Sequence, residues 1–254
     1  MCLVALALDA VPRFPLLLAA NRDERHTRPT HGAAWWPDLP DLFGGRDLQG
    51  NGSWLALSRA GRLAAVTNFR DPLARPAARS RGELVAEFVS GSATLDEFAA
   101  ALGPRAAAYG PFNLLLYADG ELRYLSNRAP AAALGRGVHA LSNTALGDHW
   151  PKTRTAHRIL EGLLGHPEPL EPLFDLLARR ADPKTAPEER YRSAHFIVGE
   201  TYGTRCSTVL MLAADGTLTF VERSFDAASR PSGEVRETLR WPARKPASHA
   251  RERV

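Results

Sequence analysis

Two uninterrupted apolar runs at the start of the chain, Leu3 to Leu8 and Leu16 to Ala20, constrain the fold most strongly. The break between them carries Pro12 and Pro15. Proline cannot donate to a strand ladder, so the runs fit two adjacent strands joined through that break. The second run ends in a dense polar cluster, Asn21-Arg22-Asp23-Glu24-Arg25. Paired antiparallel, the strands return this cluster to the chain's start, where Cys2 stands. A thiol, an α-amine, a guanidinium and carboxylates then share one sheet end.

Cys2 has two readings. Cysteine is a common small buried residue, and at this position it would simply open a core strand. Alternatively, a small residue at position 2 allows the initiator Met to be removed, and Cys2 then becomes the amino terminus. Such a cysteine carries its own base, since an α-amine has a pKa of about 7.7–8.0 and a thiol one of about 8.5. A neighbouring Arg favours the thiolate.

The 254 residues give ample length for a core, as one large domain or two small ones. The formal net charge of +4 is almost wholly arginine, because lysine occurs only at Lys152, Lys184 and Lys245. No basic stripe interleaved with aromatics is present, which argues against nucleic-acid binding. The two cysteines make neither a disulfide framework nor a metal site, the histidines lack ligand spacing, and a reducing, cytoplasmic setting is expected. The first apolar run carries Asp9, is broken by Pro12 and has no basic flank, unlike a signal peptide, and no run reaches the length of an integral membrane segment.

Along the chain, His26 to Pro40, with Trp35-Trp36, reads as a Pro-rich loop. It either anchors to the core through a Trp or forms one wall of an apolar pocket. Gly44-Gly45-Arg46-Asp47 to Gly52-Ser53-Trp54 reads as a glycine-rich corner containing an Asn-Gly turn. Strands follow at Trp54 to Leu57 and Leu63 to Thr67. Ser80-Arg81-Gly82-Glu83 and Thr94-Leu95-Asp96-Glu97 have capping-box spacing and open two helices. Phe112 to Tyr117 and Glu121 to Ser126 flank the Asp119-Gly120 turn. Val138 to Ser142 reads as a strand. Pro151 to Leu164 and Leu170 to Arg180 read as helices, and Ala181 to Arg192 as a loop. Strands are expected at Ala194 to Val198, Cys206 to Ala213 and Leu218 to Arg223. Residues 229–254 are expected to form a poorly ordered tail after one domain over 1–228. The order predicts an α+β fold, two largely antiparallel sheets with a helix layer outside each.

Polar residues recur where apolar strands stop: Asn21-Arg22-Asp23, Thr67-Asn68, Ser142-Asn143 and Tyr202-Gly203-Thr204-Arg205. Each alone is an ordinary cap or turn. Beside an N-terminal cysteine, together, they fit the needs of acyl transfer. These segments, with Met1-Cys2, Asn21-Arg22-Asp23-Glu24, the glycine-rich corner, Thr67-Asn68-Phe69-Arg70 and Ser80-Arg81-Gly82, resemble the NRDE family, that of transport and Golgi organisation protein 2. The match runs in order from Met1 to about Arg223. The resemblance implies a four-layer αββα sandwich of the N-terminal-nucleophile hydrolase type. It also implies, for eukaryotic members, roles in haem handling, acyl-CoA or lipid homeostasis and secretory-pathway organisation.

Cysteine N-terminal-nucleophile amidases, such as bile-salt hydrolases and penicillin V acylases, are a more distant likeness. Cys2, Arg22, Asp23, Asn68, Asn143 and Arg205 resemble their catalytic set in order. Those enzymes space the Arg and Asp apart, whereas Arg22 and Asp23 are adjacent and should point to opposite faces. Asn21 or Asp47 would replace whichever faces away. The candidate substrate-binding residues are Asn21, Asp47, Trp35, Trp54 and Phe69. The expected reaction is hydrolysis of an acyl amide or thioester with no cofactor or metal required. The rival is a carrier that binds haem or an acyl chain in a cleft lined by Trp35, Trp36, Trp54 and Phe69.

Overall fold

The computed structural model describes residues 2–148 and 150–242. The N-terminal runs form β1 (Leu3–Val11) and β2 (Phe14–Arg25), a hairpin turning at Pro12-Arg13. They sit at the centre of a six-stranded sheet. Its other members are β10 (Gly137–Leu141) beside β1, then β11 (Tyr202–Leu212) beside β2, followed by β12 (Thr217–Phe225) and β13 (Pro231–Arg240). A seven-stranded sheet runs in simple chain order through β3 (Thr30–Trp36), β4 (Leu39–Asp47), β5 (Leu55–Ser58), β6 (Leu63–Asn68), β7 (Phe112–Ala118), β8 (Glu121–Ser126) and β9 (Ala132–Leu134). Neighbouring strands in both sheets are antiparallel.

Strand alternation sorts the apolar residues into three cores. Val4, Leu6, Leu16, Leu18, Phe43, Leu57, Leu115 and Phe220 meet between the sheets. Leu3, Ala5, Leu17 and Ala19 face α3 (Pro151–Leu163) and α4 (Leu170–Leu177). Ala64, Leu114 and Leu116 face α1 (Gly82–Ser90) and α2 (Leu95–Leu102). The result is the expected αββα sandwich, in which each buried Leu or Phe contributes about 1.5–3 kcal/mol. The capping box predicted for α2 is complete: Glu97 N–H donates to Thr94 Oγ1, and Thr94 N–H to Glu97 Oε2. At α1 only half of it forms, with Ser80 N–H on Glu83 Oε1.

Four expectations change. Residues 26–40 are mostly a hairpin, β3 turning at Pro37-Asp38 into β4, because Ala33 and Trp36 find core positions and proline suits the turn. Residues 194–198 form no strand; the N–H groups of His195 and Phe196 go to Arg179 O instead of a ladder. The 181–192 loop holds a short α5 (Pro187–Ser193) at its end. Residues 231–240 are the edge strand β13, paired with β12 along its length. The rest of the expected tail, 243–254, lies outside the described residues. Among the described residues, no helix is long and apolar enough to cross a membrane.

Candidate active site

Register places the first candidates. Val4, Leu6 and Leu8 face the space between the sheets. The same alternation carries Cys2 to that side. Leu3 pairs with Asn21 and Val4 with Ala20, so one further step sets Cys2 level with Arg22, which pairs with Cys206 on the other side. Cys2 and Arg22 open into a cleft of about 500 Å³, whose wall also includes Asp23, Asp47, Trp54, Asn68 and Arg81.

Arg22 is 5% exposed, with its guanidinium carbon 4.3 Å from the centre of the Trp54 ring and Nη1 donating to Thr30 Oγ1 at 3.1 Å. A desolvated cation–π pair of this kind contributes about 2 kcal/mol. The Trp54 ring rests on Gly45, where a Cβ would lie 2.1 Å from it. This is why the corner needs glycine there.

Asp23, one residue on, faces the helix layer. Its Oδ1 accepts from Thr204 Oγ1 at 2.7 Å, and Tyr202 Oη donates to its carbonyl at 2.8 Å. Burial pushes the Asp23 carboxyl above the ordinary carboxylate range, against the pull of nearby positive charge, Lys152 and Arg22 included. Lys152, wholly buried in the first turn of α3, is pulled below the usual lysine range by burial, against the charges of Asp23 and Cys2. The adjacent Arg22 and Asp23 therefore serve opposite faces of β2. Asp23 nevertheless lines the same cleft as Cys2.

A buried network fixes the Cys2 backbone. Ser142 Oγ donates to Cys2 O at 2.7 Å. The Ser142 carbonyl accepts from Thr67 Oγ1 at 2.6 Å and Asn113 Nδ2 at 3.2 Å, and Tyr124 Oη donates to Asn113 Oδ1 at 2.7 Å. Asn143 is 1% exposed and its Nδ2 donates to Asn68 O at 2.6 Å, tying the ends of β10 and β6 together. The Asn68 side chain is exposed and lines the cleft, whereas Asn143 is not among the lining residues.

Other candidates lie elsewhere. Asn21 faces α4: its Nδ2 donates to Leu177 O at 2.9 Å and His195 O at 2.8 Å, and Ser207 Oγ donates to its Oδ1 at 2.6 Å. Asn21 is thus committed to these partners and is not among the residues lining the large cleft. Trp35 packs on Phe43 against the inter-sheet core under the Arg59 guanidinium and is not among the lining residues of the cleft. Arg205 is the extra residue of a bulge between the pairs Thr204–Asp23 and Cys206–Arg22. Its Nη1 donates to the carbonyls of Arg25, His26 and Arg28, so it braces the turn after β2 and does not line the cleft. Phe69 is half-buried, with its N–H on Pro111 O at 3.0 Å. Asp47 does line the cleft. Burial works to raise its carboxyl, but two bonds from Arg28, at 2.9 and 2.6 Å, hold it below the usual range.

Sequence reasoning gave no role to Arg28, Arg81 or Lys152. Lys152 was legible in principle, as a charge on the buried stripe it forms with Ala156 and Leu160 at four-residue steps. Arg81 sat inside a recognised segment, yet only the close crossing of Gly52 over Gly82 aims it. A Cβ on Gly52 would lie 2.2 Å from the Gly82 carbonyl carbon, and Ser53 N–H donates to Gly82 O at 3.1 Å. Among the described residues, no group of three or more His, Cys, Asp or Glu side chains is placed to hold a metal ion.

The paired antiparallel sheets, the outer helix layers and a cysteine at the head of a central strand define an N-terminal-nucleophile hydrolase fold. Solved structures agree. A Caenorhabditis elegans ortholog of N-acylethanolamine-hydrolyzing acid amidase superposes with a TM-score of 0.52 at 14% identity, covering 82% of this chain and 92% of its own. A cysteine-to-alanine mutant of the conjugated bile acid hydrolase of Clostridium perfringens superposes with a TM-score of 0.51 at 9% identity, covering 95% and 97%. The sequence matches the family described as Transport and Golgi organisation 2 over residues 1–227, and the chain belongs to that family. It is 32% identical to the Transport and Golgi organization protein 2 homolog of Bos taurus and 30% identical to the Transport and Golgi organization 2 homolog of Mus musculus. Each alignment covers 88% of this chain and 93% of the relative.

Proposed function

We propose that the protein is an N-terminal cysteine amidohydrolase or thioesterase acting on an acyl compound. The observation that supports it most is the single cleft shared by Cys2, Arg22, Asp23 and Asn68. Removal of Met1 would free the Cys2 amine in the cleft that Asp23 also lines. The amine takes the thiol proton, and Asp23, with Lys152 behind it, holds the resulting ammonium. The thiolate, favoured by Arg22, attacks the amide or thioester carbonyl. Asn68 donates to the oxyanion, a contribution of about 2.7–4 kcal/mol for one well-placed donor. The ammonium returns its proton to the departing amine or thiol, leaving a thioester on Cys2. Water, deprotonated by the same amine, then releases the carboxylic acid and regenerates the thiol.

The test is intact mass followed by turnover. Loss of Met1, an acyl adduct on Cys2 and hydrolysis of acyl amides or thioesters abolished by Cys2→Ala are expected. Absence of both turnover and adduct in a Met1-free protein overturns the reading. The commitment of Asn143 to the Asn68 carbonyl favours a second reading, a binding protein in trafficking that has kept the cleft without the chemistry. Full ligand binding by wild type and Cys2→Ala, with no hydrolysis by either, would establish it.

A further inference from the structure

The cleft holds more cationic charge than its own carboxylates satisfy. Glu24 and Asp47 are engaged by Arg28, at 3.8 and 2.6 Å, and Arg79 pairs with Glu83 at 2.8 Å. Arg22 lies on Trp54 and Thr30. Arg81 is half-buried in the same wall, and among the described residues no carboxylate stands within ion-pairing distance of it. Among the described residues its hydrogen-bond acceptor is Pro111 O, 3.2 Å from Nη1. Burial pulls the guanidinium below its ordinary range, and the charges of Cys2 and Glu24 are what oppose this.

A guanidinium has five donors in a rigid fork that matches the oxygens of carboxylate and phosphate. One carbonyl leaves most of them unused. A partly desolvated cation without a counter-ion is costly, and an anion supplied from outside removes that cost. The close backbone crossing at Gly52 and Gly82 fixes the main chain that carries it, and the bond to Pro111 O orients its Nη1.

We infer that Arg81 anchors an oxyanion of the substrate, so that the protein prefers acyl amides or thioesters that carry a carboxylate or a phosphate. This rests on the hydrolase reading for the word substrate, but the anion site itself does not.

Two measurements separate the ideas. The first needs no turnover: Cys2 is alkylated with iodoacetate, an anion, and with the neutral iodoacetamide, and Cys2 and the buried Cys206 are resolved by peptide mass. The ratio of the two rates in wild type should exceed that in Arg81→Gln by about tenfold, the loss of one charge-assisted contact, with Arg81→Lys in between. In wild type alone, orthophosphate should slow iodoacetate more than iodoacetamide, beyond the effect of sodium chloride at equal ionic strength. The second compares matched amides of one fatty acid with ethanolamine, glycine and O-phosphoethanolamine. Arg81→Gln should raise KM for the charged amides and leave the neutral one unchanged, and the better of the two charged amides distinguishes carboxylate from phosphate. Equal alkylation ratios in wild type and Arg81→Gln, with no specific phosphate effect, overturn the anion site even if the amides are hydrolysed. A ratio that moves with Arg81 while no amide is hydrolysed keeps the anion site and removes the hydrolase reading.

Discussion

Three consecutive side chains at the end of β2 take three different jobs because a strand offers only two faces. Asn21 and Asp23 go to the helix layer and Arg22 goes between the sheets. Asn21 satisfies two carbonyls and one hydroxyl at a buried junction of β2, β11, α4 and the segment after α5. Asn21→Ala leaves them without a partner and should cost about 2–3 kcal/mol of stability, read from urea unfolding. The rate of Cys2 alkylation in the folded variant should stay within a factor of about two, because the Asn21 side chain does not reach the cleft. That Cys2, Arg22, Asp23 and Asn68 would meet at one end of the sheets was legible in sequence, because strand ends and register are local matters. Asn143 and Arg205 were identified as polar strand-end residues, but their bonding was not readable. One depends on where β6 ends relative to β10, the other on a single-residue bulge.

Among the elements, β13 is the clearest case of a pattern masked by composition. Pro231, Glu234, Arg236, Glu237 and Arg240 give the segment the look of a solvated tail, yet Val235, Leu239 and Trp241 keep one parity. Those residues pack on the inter-sheet core, and Arg223 pairs with Glu234 on the outer side at 2.9 Å. Just beyond the strand, Trp241 stacks on Tyr117 with ring centres 5.6 Å apart and donates Nε1–H to Ser58 O at 2.9 Å. One residue thereby clamps the last strand to the opposite sheet. Trp241→Ala should lower the unfolding free energy by about 3–5 kcal/mol, whereas Arg236→Ala should change it by less than about 1. Residues 26–40 were misread for a related reason. Prolines at 29, 37 and 40 suggested an irregular loop, although Pro37 only turns a hairpin. The Ala194–Val198 run misled in the other direction: Ala194, His195 and Phe196 are buried, but the N–H groups of His195 and Phe196 go to Arg179 O and that of Ile197 to Thr204 Oγ1, so no ladder forms.

For the whole molecule, the joint between the sheets carries an unusual charge. Glu222, 2% exposed on β12, accepts from Ala33 N–H of the other sheet at 2.8 Å and from Thr208 Oγ1 at 3.1 Å. Burial pushes its carboxyl above the ordinary range, and burial with Glu222 beside it pushes the Cys206 thiol well up. A carboxyl whose folded pKa is raised binds its proton more tightly in the native state. Its contribution is fully present below the unfolded value of about 4.3 and is lost as pH climbs through the folded value. Glu222→Gln keeps the shape without the titration. Its unfolding free energy should therefore fall less than that of wild type between about pH 5 and pH 8, as urea midpoints at successive pH values would report. Parallel curves would assign the pH dependence to other groups.

Central placement of the N-terminal hairpin also has a temporal consequence. The walls around Cys2 come from β6, the loop before α1 and the end of β10, and the strand that closes β2 is β11, near the far end of the chain. While the ribosome is still making those parts, the first residues are accessible to an aminopeptidase. Once β11 has zipped onto β2, Cys2 lines a finished cleft. On the proposed hydrolase reading, trimming of the leading methionine is a task for the nascent chain, and the pace of synthesis sets how long it has.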